Sequence, residues 1–424
     1  MHLSDLENKK IAIWGMGLEG QSTLSFLQHH FPKKDFLIIN QELVEDADHF
    51  IFEKNIEENM DNFDVVIKSP GISFYHSIIT KMEKHGIIVT SATNIWFALK
   101  KSGTVIAITG SNGKSTTSAL LHHILKKTDL NAQLGGNIGM PLLSLPLDAD
   151  YHVVELSSYQ TCDLRYTPDI SVILNLHPEH IHWHKSHEQY YHDKCNLLRR
   201  GARINIVNGL DPQLSNIKNV IYFNNSEQIH SKNKTIFDGN SPIGETKSFP
   251  LLGEHNLENL CAVLTIAKKL ELDLDECLEA SFSFSSLPHR LQILGPYNGI
   301  TYINDSISTD PEATIAALKV LSGKTIALII GGEDRQQDFS NLCSVIDGMD
   351  KVSSICIYET GPRLFDQITS FDKHMAKDLE HAVKVAREKI NESGYILLSP
   401  ASPSYDAFKD FTDRGSQFIK LALN

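Results

Sequence analysis

Thr104-Val105-Ile106-Ala107-Ile108-Thr109-Gly110-Ser111-Asn112-Gly113-Lys114-Ser115-Thr116 sets the architecture of this chain. A short run rich in Val and Ile reads as a buried strand, and the residues after Lys114 read as a helix. The glycines between them let the backbone fold around a phosphate, the helix start offers free N–H groups, and Lys114 adds a positive charge. Ser115 or Thr116 can give a hydroxyl to Mg2+. Only two residues separate Gly110 from Gly113, where a standard P-loop has four. The bland alternative is a glycine turn ahead of an ordinary capped helix. ATP with Mg2+ is the expected ligand.

Outward from this loop, short apolar runs alternate with longer mixed stretches in three sets. The first is Lys10–Gly15, Asp35–Asn40, Asp64–Ser69 and Gly86–Ser91. The second is Thr104–Thr109, Tyr151–Ser157, Ser171–Leu176 and Ile204–Asn208. The third is Gly299–Asn304, Thr325–Ile330, Ser354–Tyr358 and Tyr395–Ser399. Repeated strand–helix alternation means parallel sheets covered by helices on both faces. The expected fold is α/β with three domains: Rossmann-like at the N-terminus, a central P-loop ATPase-like parallel sheet, and Rossmann-like at the C-terminus. The boundaries are placed at 1–95, 96–286 and 287–424, with Leu287-Pro288 as the hinge before the last. Phe223–Ser248, rich in Asn, Ser, Lys and Gly, reads as surface loop or a small β excursion.

Composition bounds the function. In 424 residues, 41% are hydrophobic and 21% charged, enough for sizeable cores. Fifty-two acidic against 39 basic residues leave a charge of −13, which argues against a nucleic-acid binder. The six cysteines show no CxxC pair and read as reduced thiols. No apolar run nears the ~18 residues that span a bilayer, and Met1–Asp5 opens no signal peptide. A soluble, cytoplasmic protein with no membrane partner is expected.

Gly15-Met16-Gly17-Leu18-Glu19-Gly20 follows a strand and opens a helix, a pattern that by itself suggests NAD. The second strand ends in Asn40 and not in the acidic residue that binds a ribose diol, which lowers that reading; the same loop can bind another diphosphate. His177, His180, His182, His184, His187 and His192 invite a zinc reading, against which stands the lack of a Cys cluster. Asn256 and Asn259 fall on one face of an expected helix.

The compact loop around Lys114 resembles the nucleotide loop of the Mur ligase family and of its relative folylpolyglutamate synthase. Gly135-Gly136-Asn137-Ile138-Gly139 is similar to that family's Gly-Asn-Ile-Gly segment. Glu155-Leu156-Ser157-Ser158-Tyr159-Gln160 resembles the Glu-Leu-Ser-Ser-Phe-Gln of its glutamate-adding branch, and Asn175–His180 its Asn-x-x-x-Asp-His, with Glu179 for Asp. Gly253–Asn259, Pro288-His289-Arg290 and Asn304-Asp305-Ser306 match later motifs, in family order over nearly the whole chain.

The resemblance implies an ATP-dependent amide ligase. It would phosphorylate the carboxylate of UDP-N-acetylmuramoyl-L-alanine and add glutamate, in peptidoglycan precursor synthesis. A folylpolyglutamate synthase-like ligase is the alternative. Lys114, His180 and Lys194 would be catalytic, with Lys194 at the position of a carbamylated lysine. Gly110, Asn112, Gly113, Lys114, Ser115, Thr116, Asn256, Asn259, Arg290 and Asp305 would bind ATP. Gly15, Gly17, Leu18, Asn40, Ser69, Gly71, Asn137, Ser157 and His180 would bind the UDP substrate. Two Mg2+ ions would sit on Ser115, Glu155, His180 and Lys194. A monomer is expected.

Arg335, Ser404, Tyr405 and Phe411 would receive glutamate. There the sequence departs from the D-glutamate pattern: Ile307-Ser308-Thr309-Asp310 replaces Lys-Ala-Thr-Asn, and Gly331-Gly332-Glu333-Asp334-Arg335 replaces Gly-Gly-Asp-Gly-Lys. One ammonium is gone and another has become a planar fork. This leaves open D- or L-glutamate and resembles a variant class that adds L-glutamate.

Overall fold

The phosphate-loop strand Thr104–Thr109 lies inside a six-stranded sheet, in the order Ile221–Phe223, Ile204–Asn208, Ile170–Ile173, Thr104–Thr109, Tyr151–Glu155, Ala132–Gly136. Every pairing in it is parallel. Ile106, Ala107, Ile108, Val153 and Val154 are buried, which is why these strands read as unbroken apolar runs. Helix Lys114–Lys127 follows the loop and packs on helix Glu254–Lys269. The structure, a computed structural model, describes residues 1–44, 49–99, 101–390 and 393–423.

A five-stranded parallel sheet precedes it, ordered Phe50–Phe52, Phe36–Asn40, Ile11–Trp14, Val65–Lys68, Ile88–Ser91. Strand order reverses between Ile11–Trp14 and Val65–Lys68, so the segments leaving these two strands flank the crevice where α/β sheets bind ligands. Those segments begin with Gly15 and Ser69.

By internal contacts the chain forms two compact units: Met1–Phe249 with Glu254–Phe284, and Pro250–Gly253 with Ser285–Asn424. The first two sheets share the first unit because their apolar faces merge. One buried cluster runs from Ile11, Ile13 and Val65 through Ile95 and Trp96 to Ala107 and Val154.

The Asn- and Ser-rich stretch after Phe223 is a three-stranded antiparallel sheet, Ile229–Lys232, Thr235–Asp238 and Ser241–Glu245. Its first turn uses Asn233 and Lys234, both at positive φ (51° and 60°), as a two-residue hairpin requires.

The second unit holds a six-stranded sheet ordered Gln292–Ile293, Ile300–Asn304, Gly394–Leu398, Ile326–Ile330, Val352–Cys356, Lys373–Met375. Two expectations are corrected here. Gln292–Ile293 is an antiparallel edge strand in a sheet expected to be parallel throughout. The strand expected at Ser354–Tyr358 begins two residues earlier, at Val352. Ser353 and Ser354 are buried inside it, so polarity masked its start. Among the described residues, no helix is long and apolar enough to cross a membrane.

Candidate active site

The phosphate loop is held from behind before any ligand arrives. The Asn112 amide donates to Asn175 Oδ1 at 2.8 Å, and Asn175 Nδ2 donates back to the Asn112 carbonyl at 3.1 Å. The Ser111 hydroxyl donates to the His177 carbonyl and accepts the His177 amide, both at 2.8 Å, and lies 2.7 Å from the Tyr190 hydroxyl. Gly113 has φ +81°, and a Cβ there would stand 2.5 Å from Asn259 Oδ1. The loop thus requires glycine at 113. Asn259 Nδ2 in turn donates to Asn256 Oδ1 at 3.2 Å, placing both asparagines on one helix face against the loop. Lys114 Nζ donates to the Ser111 carbonyl at 2.6 Å, folding over the loop's own backbone. Ser115 is half-buried and Thr116 buried at the helix start.

Lys194 comes to the same loop from helix His187–Arg199. Its Nζ donates to the Gly110 carbonyl at 2.6 Å, and the residue is 1% exposed. Burial, then the nearby charge of Lys114, holds its ammonium well below the usual lysine range, while Glu179 and Glu155 oppose this. Glu155 ends the neighbouring strand, fully buried; Asn137 Nδ2 donates to its Oε1 at 2.7 Å. Glu155 Oε2 is equally buried and has no hydrogen-bond partner among the described residues. His180 lies in the left-handed region (φ 54°, ψ 36°), its ring 5.2 Å from that of Tyr159. Desolvation lowers its pKa, Glu179 raises it, and Lys194 and Lys114 lower it further. Lys114, Glu155, His180 and Lys194 therefore share one electrostatic neighbourhood.

In the N-terminal sheet, Ser69 Oγ donates to the Gly15 carbonyl at 2.8 Å. A Cβ on Gly15 (φ +92°) would stand 3.0 Å from Ser69, and one on Gly20 2.0 Å from the Gly15 carbonyl oxygen. Close approach explains these two glycines. Gly17 and Leu18 are exposed at the start of helix Leu18–His30, and Asn40 turns its amide onto Glu42 at 3.1 Å. The Gly71 carbonyl accepts from Trp183 Nε1 at 3.2 Å. Ser157 caps helix Ser158–Cys162.

In the second unit, Asp305 is a clamp. Its Oδ1 accepts the Leu291 amide at 3.0 Å, and its Oδ2 accepts Ser308 Oγ at 2.6 Å and Ser399 Oγ at 2.8 Å. Burial raises its pKa, opposed by these hydrogen bonds and by the charge of Arg290. Arg335 pairs with Glu333 at 2.9 Å and lies over the exposed Tyr405 ring at 5.5 Å. Ser404 is buried, and the Phe411 carbonyl accepts Ser306 Oγ at 2.8 Å.

Residues 108–267 match the Mur ligase middle domain and residues 289–402 the Mur ligase glutamate ligase domain. The UDP-N-acetylmuramoyl-L-alanine–L-glutamate ligase of Xanthomonas euvesicatoria pv. vesicatoria is 37% identical, the alignment covering 100% of this chain and 97% of the relative. The chain belongs to the Mur ligase family. The enzyme of that same name from a Micromonospora species is 34% identical over 99% of this chain and 98% of its own. Among solved structures, the UDP-N-acetylmuramate–alanine ligase of Thermotoga maritima superposes with a TM-score of 0.62 at 20% identity, over 98% of this chain and 99% of the other. The MurF ligase of Thermotoga maritima in complex with ADP gives 0.59 at 15%, over 99% and 96%. These two likenesses concern the fold.

The donors of this Mur ligase suit magnesium better than zinc. Glu155 presents a buried oxygen without a hydrogen-bond partner among the described residues, and a hard cation takes oxygen ligands. Among the described residues, no three His, Cys, Asp or Glu side chains form a group that could hold a metal ion.

Sequence reading passed over Tyr190, Asp193 and Arg414 of this Mur ligase, and gave His184 only a place in the zinc reading of the histidine run. Tyr190 reaches the loop through Ser111. His184 and Asp193 bond at 2.6 Å beside Lys194, and Arg414 is wholly buried beneath the loops at Ser306 and Ser402. Asp193 next to Lys194 was the one local signal; the rest depends on tertiary pairing.

Proposed function

We propose that this Mur ligase uses ATP to join glutamate to UDP-N-acetylmuramoyl-L-alanine through an acyl phosphate, and that the glutamate is the L-enantiomer. The carrying observation is Lys194 held on the Gly110 carbonyl of the phosphate loop, with Glu155 at the end of the adjacent strand. A carboxylate is a poor electrophile, and bringing one to a polyphosphate sets anion against anion. In this reading Gly110, Asn112, Gly113, Ser115 and Thr116 cradle the phosphates, and Lys114 turns from the Ser111 carbonyl to the nucleotide. Asn256 and Asn259 set the nucleotide's place behind the loop, and Arg290 and Asp305 would also bind ATP.

Ser115, Glu155, His180 and a carbamate on Lys194 would hold two magnesium ions, which supply charge neutralisation between carboxylate and phosphates. The low proton affinity of Lys194 favours the neutral amine that carbamylation needs. Gly15, Gly17, Leu18, Asn40, Ser69 and Gly71 would bind the UDP part, and Asn137, Ser157 and His180 the muramoyl-alanine end. Arg335, Ser404, Tyr405 and Phe411 would hold glutamate. We divide these duties among residues 1–95, 96–286 and 287–424, and take the enzyme to act as a monomer in the cytoplasm.

The L-enantiomer is favoured by the names of the relatives and by the departures at Ile307–Asp310 and Glu333–Arg335. The test is phosphate release from purified protein with ATP, Mg2+ and UDP-N-acetylmuramoyl-L-alanine, given each glutamate enantiomer in turn. Release dependent on L-glutamate is expected. Much faster use of D-glutamate would end the stereochemical reading, and no glutamate-dependent release would end the ligase reading.

A further inference from the structure

Three segments of the first unit meet at one buried carboxylate, and a fourth joins them through His184. Asp193 Oδ2 accepts from His184 Nδ1 at 2.6 Å, while Asp193 Oδ1 accepts the Tyr75 hydroxyl at 2.7 Å and Gln189 Nε2 at 2.8 Å. With both Asp193 oxygens accepting hydrogen bonds, the tautomer that completes the set has the His184 proton on Nδ1. His184 Nε2 lies 2.9 Å from Ser158 Oγ.

The order Ser–His–Asp is one that activates a serine nucleophile in other proteins. Here Ser158, His184 and Asp193 are 3%, 0% and 2% exposed, so no substrate reaches the hydroxyl. What the three groups do is fix backbone. Ser158 opens the helix just beyond Glu155. His184 ends the short helix that His180 caps, and Asp193 immediately precedes Lys194. Tyr75 lies on the segment after Ser69 and Gly71, which is also tied down by Ser73 Oγ donating to the Trp183 carbonyl at 2.9 Å. The left-handed backbone of His180 costs about 1 kcal/mol and persists only where its surroundings determine it. His184, one helical turn on, is anchored at both ring nitrogens and supplies that determination.

We propose that Asp193 and His184 are positioning residues of the ligase reaction. They keep the strained turn at His180, the Lys194 side chain and the turn after Glu155 in one arrangement. The Tyr75 hydroxyl ties that arrangement to the segment after Gly71. The inference rests on the function proposed above. The phosphate loop also has braces outside this network, at Asn175 and Asn259, so nucleotide binding is expected to suffer less than turnover when the network is broken.

The experiment is steady-state kinetics of the full chain carrying Asp193→Asn, His184→Ala, His184→Gln or Tyr75→Phe, with melting followed by circular dichroism. For Asp193→Asn and His184→Ala, kcat is expected to fall at least ~30-fold while the KM for ATP stays within about threefold. Glutamine can donate to Asp193 and accept from Ser158, so His184→Gln should recover most of the loss. Tyr75→Phe should lower kcat about fivefold with an unchanged melting temperature, because its ring stays in place. His192→Asn, an exposed neighbour 3.6 Å from Asp193, should act as wild type.

A folded Asp193→Asn or His184→Ala with kcat within twofold of wild type, or with kcat and ATP binding lost together, overturns the proposal. Should those two fail to fold, Tyr75→Phe decides, and full activity there overturns it. A wild-type chain without glutamate-dependent phosphate release removes the proposed function and this inference with it. An active wild type with unaffected variants removes the inference alone.

Discussion

Lys194 Nζ donates to the Gly110 carbonyl at 2.6 Å, so a lysine that is 1% exposed is held by the first glycine of the phosphate loop. Removing an ammonium from water disfavours its charge, and the Lys114 charge adds to this. Burial therefore favours the neutral amine, the form that reacts with carbon dioxide. Protein equilibrated with 13C-bicarbonate should show a carbamate resonance that is absent from Lys194→Ala, and that variant should lose at least ~100-fold in turnover. An identical resonance in the variant would place the carbamate elsewhere.

Glu155 is fully buried, and one of its oxygens has no partner among the described residues. An unsatisfied buried acceptor costs about 1–3 kcal/mol, more when charged. Glu155→Gln removes the buried acid but leaves an amide NH2 unpaired in its place, so without magnesium the variant should melt within about 3 °C of wild type. Magnesium should stabilise the wild type and leave the variant unmoved, and glutamate-dependent phosphate release should be lost. Calorimetry in EDTA and in magnesium reads the difference; a variant that magnesium stabilises as much as wild type would contradict the account.

These side chains mark how far sequence reading extends. Thr104–Thr109 and Ile204–Asn208 are strands over the limits expected, since short runs rich in Val and Ile between polar residues mark buried parallel strands. The strands that escaped notice, Phe50–Phe52, Ala132–Gly136, Ile221–Phe223, Gln292–Ile293 and Lys373–Met375, all lie at sheet edges. Edge strands pair on one side only, and these are short or glycine-containing, so they need little apolar sequence. The glycines at 15 and 113 were legible because their requirement is local: positive φ and close approach. The Asp193 network was not. Its bonds join residues 9, 26 and 118 positions apart, and nothing in a linear sequence pairs Tyr75 with Asp193.

Glu19 illustrates a charge whose effect depends on pH. It accepts from Gln160 Nε2 at 2.7 Å, and burial pushes its pKa from the ordinary 4.5 up to about 7, against the Gln160 hydrogen bond and the Lys68 charge and with help from Asp163. The folded chain thus binds more protons than the unfolded chain between those values. The stability that protonated Glu19 allows is full below 4.5 and is lost as pH rises toward 7. Glu19→Gln should unfold in urea like wild type near pH 4.5 and resist urea better at pH 8, by about 2 kcal/mol. A difference equal at both pH values would show that charge is not its source.

Arg414 is wholly buried, and its hydrogen bonds go to neutral oxygens. Nε donates to Ser306 Oγ at 3.0 Å, Nη2 to the Ser306 carbonyl at 2.9 Å, and Nη1 to the carbonyls of Ser402 and Pro403 at 3.0 and 3.2 Å. Burial lowers its pKa to about 10, with Asp406 and Tyr358 opposing. One planar group therefore staples the loop after Asp305 to the loop before Ser404 and Tyr405, where glutamate is assigned. A lysine ammonium has no such fork and cannot span both loops. Arg414→Lys should destabilise the second unit by about 3 kcal/mol, since some of the buried carbonyl acceptors of Ser306, Ser402 and Pro403 are left unpaired. It should also raise the KM for glutamate several-fold more than the KM for ATP, because one of the loops it joins leads into Ser404 and Tyr405, proposed to receive glutamate, and neither is the phosphate loop. Equal increases in both constants would mean that Arg414 supports the fold without shaping the glutamate site.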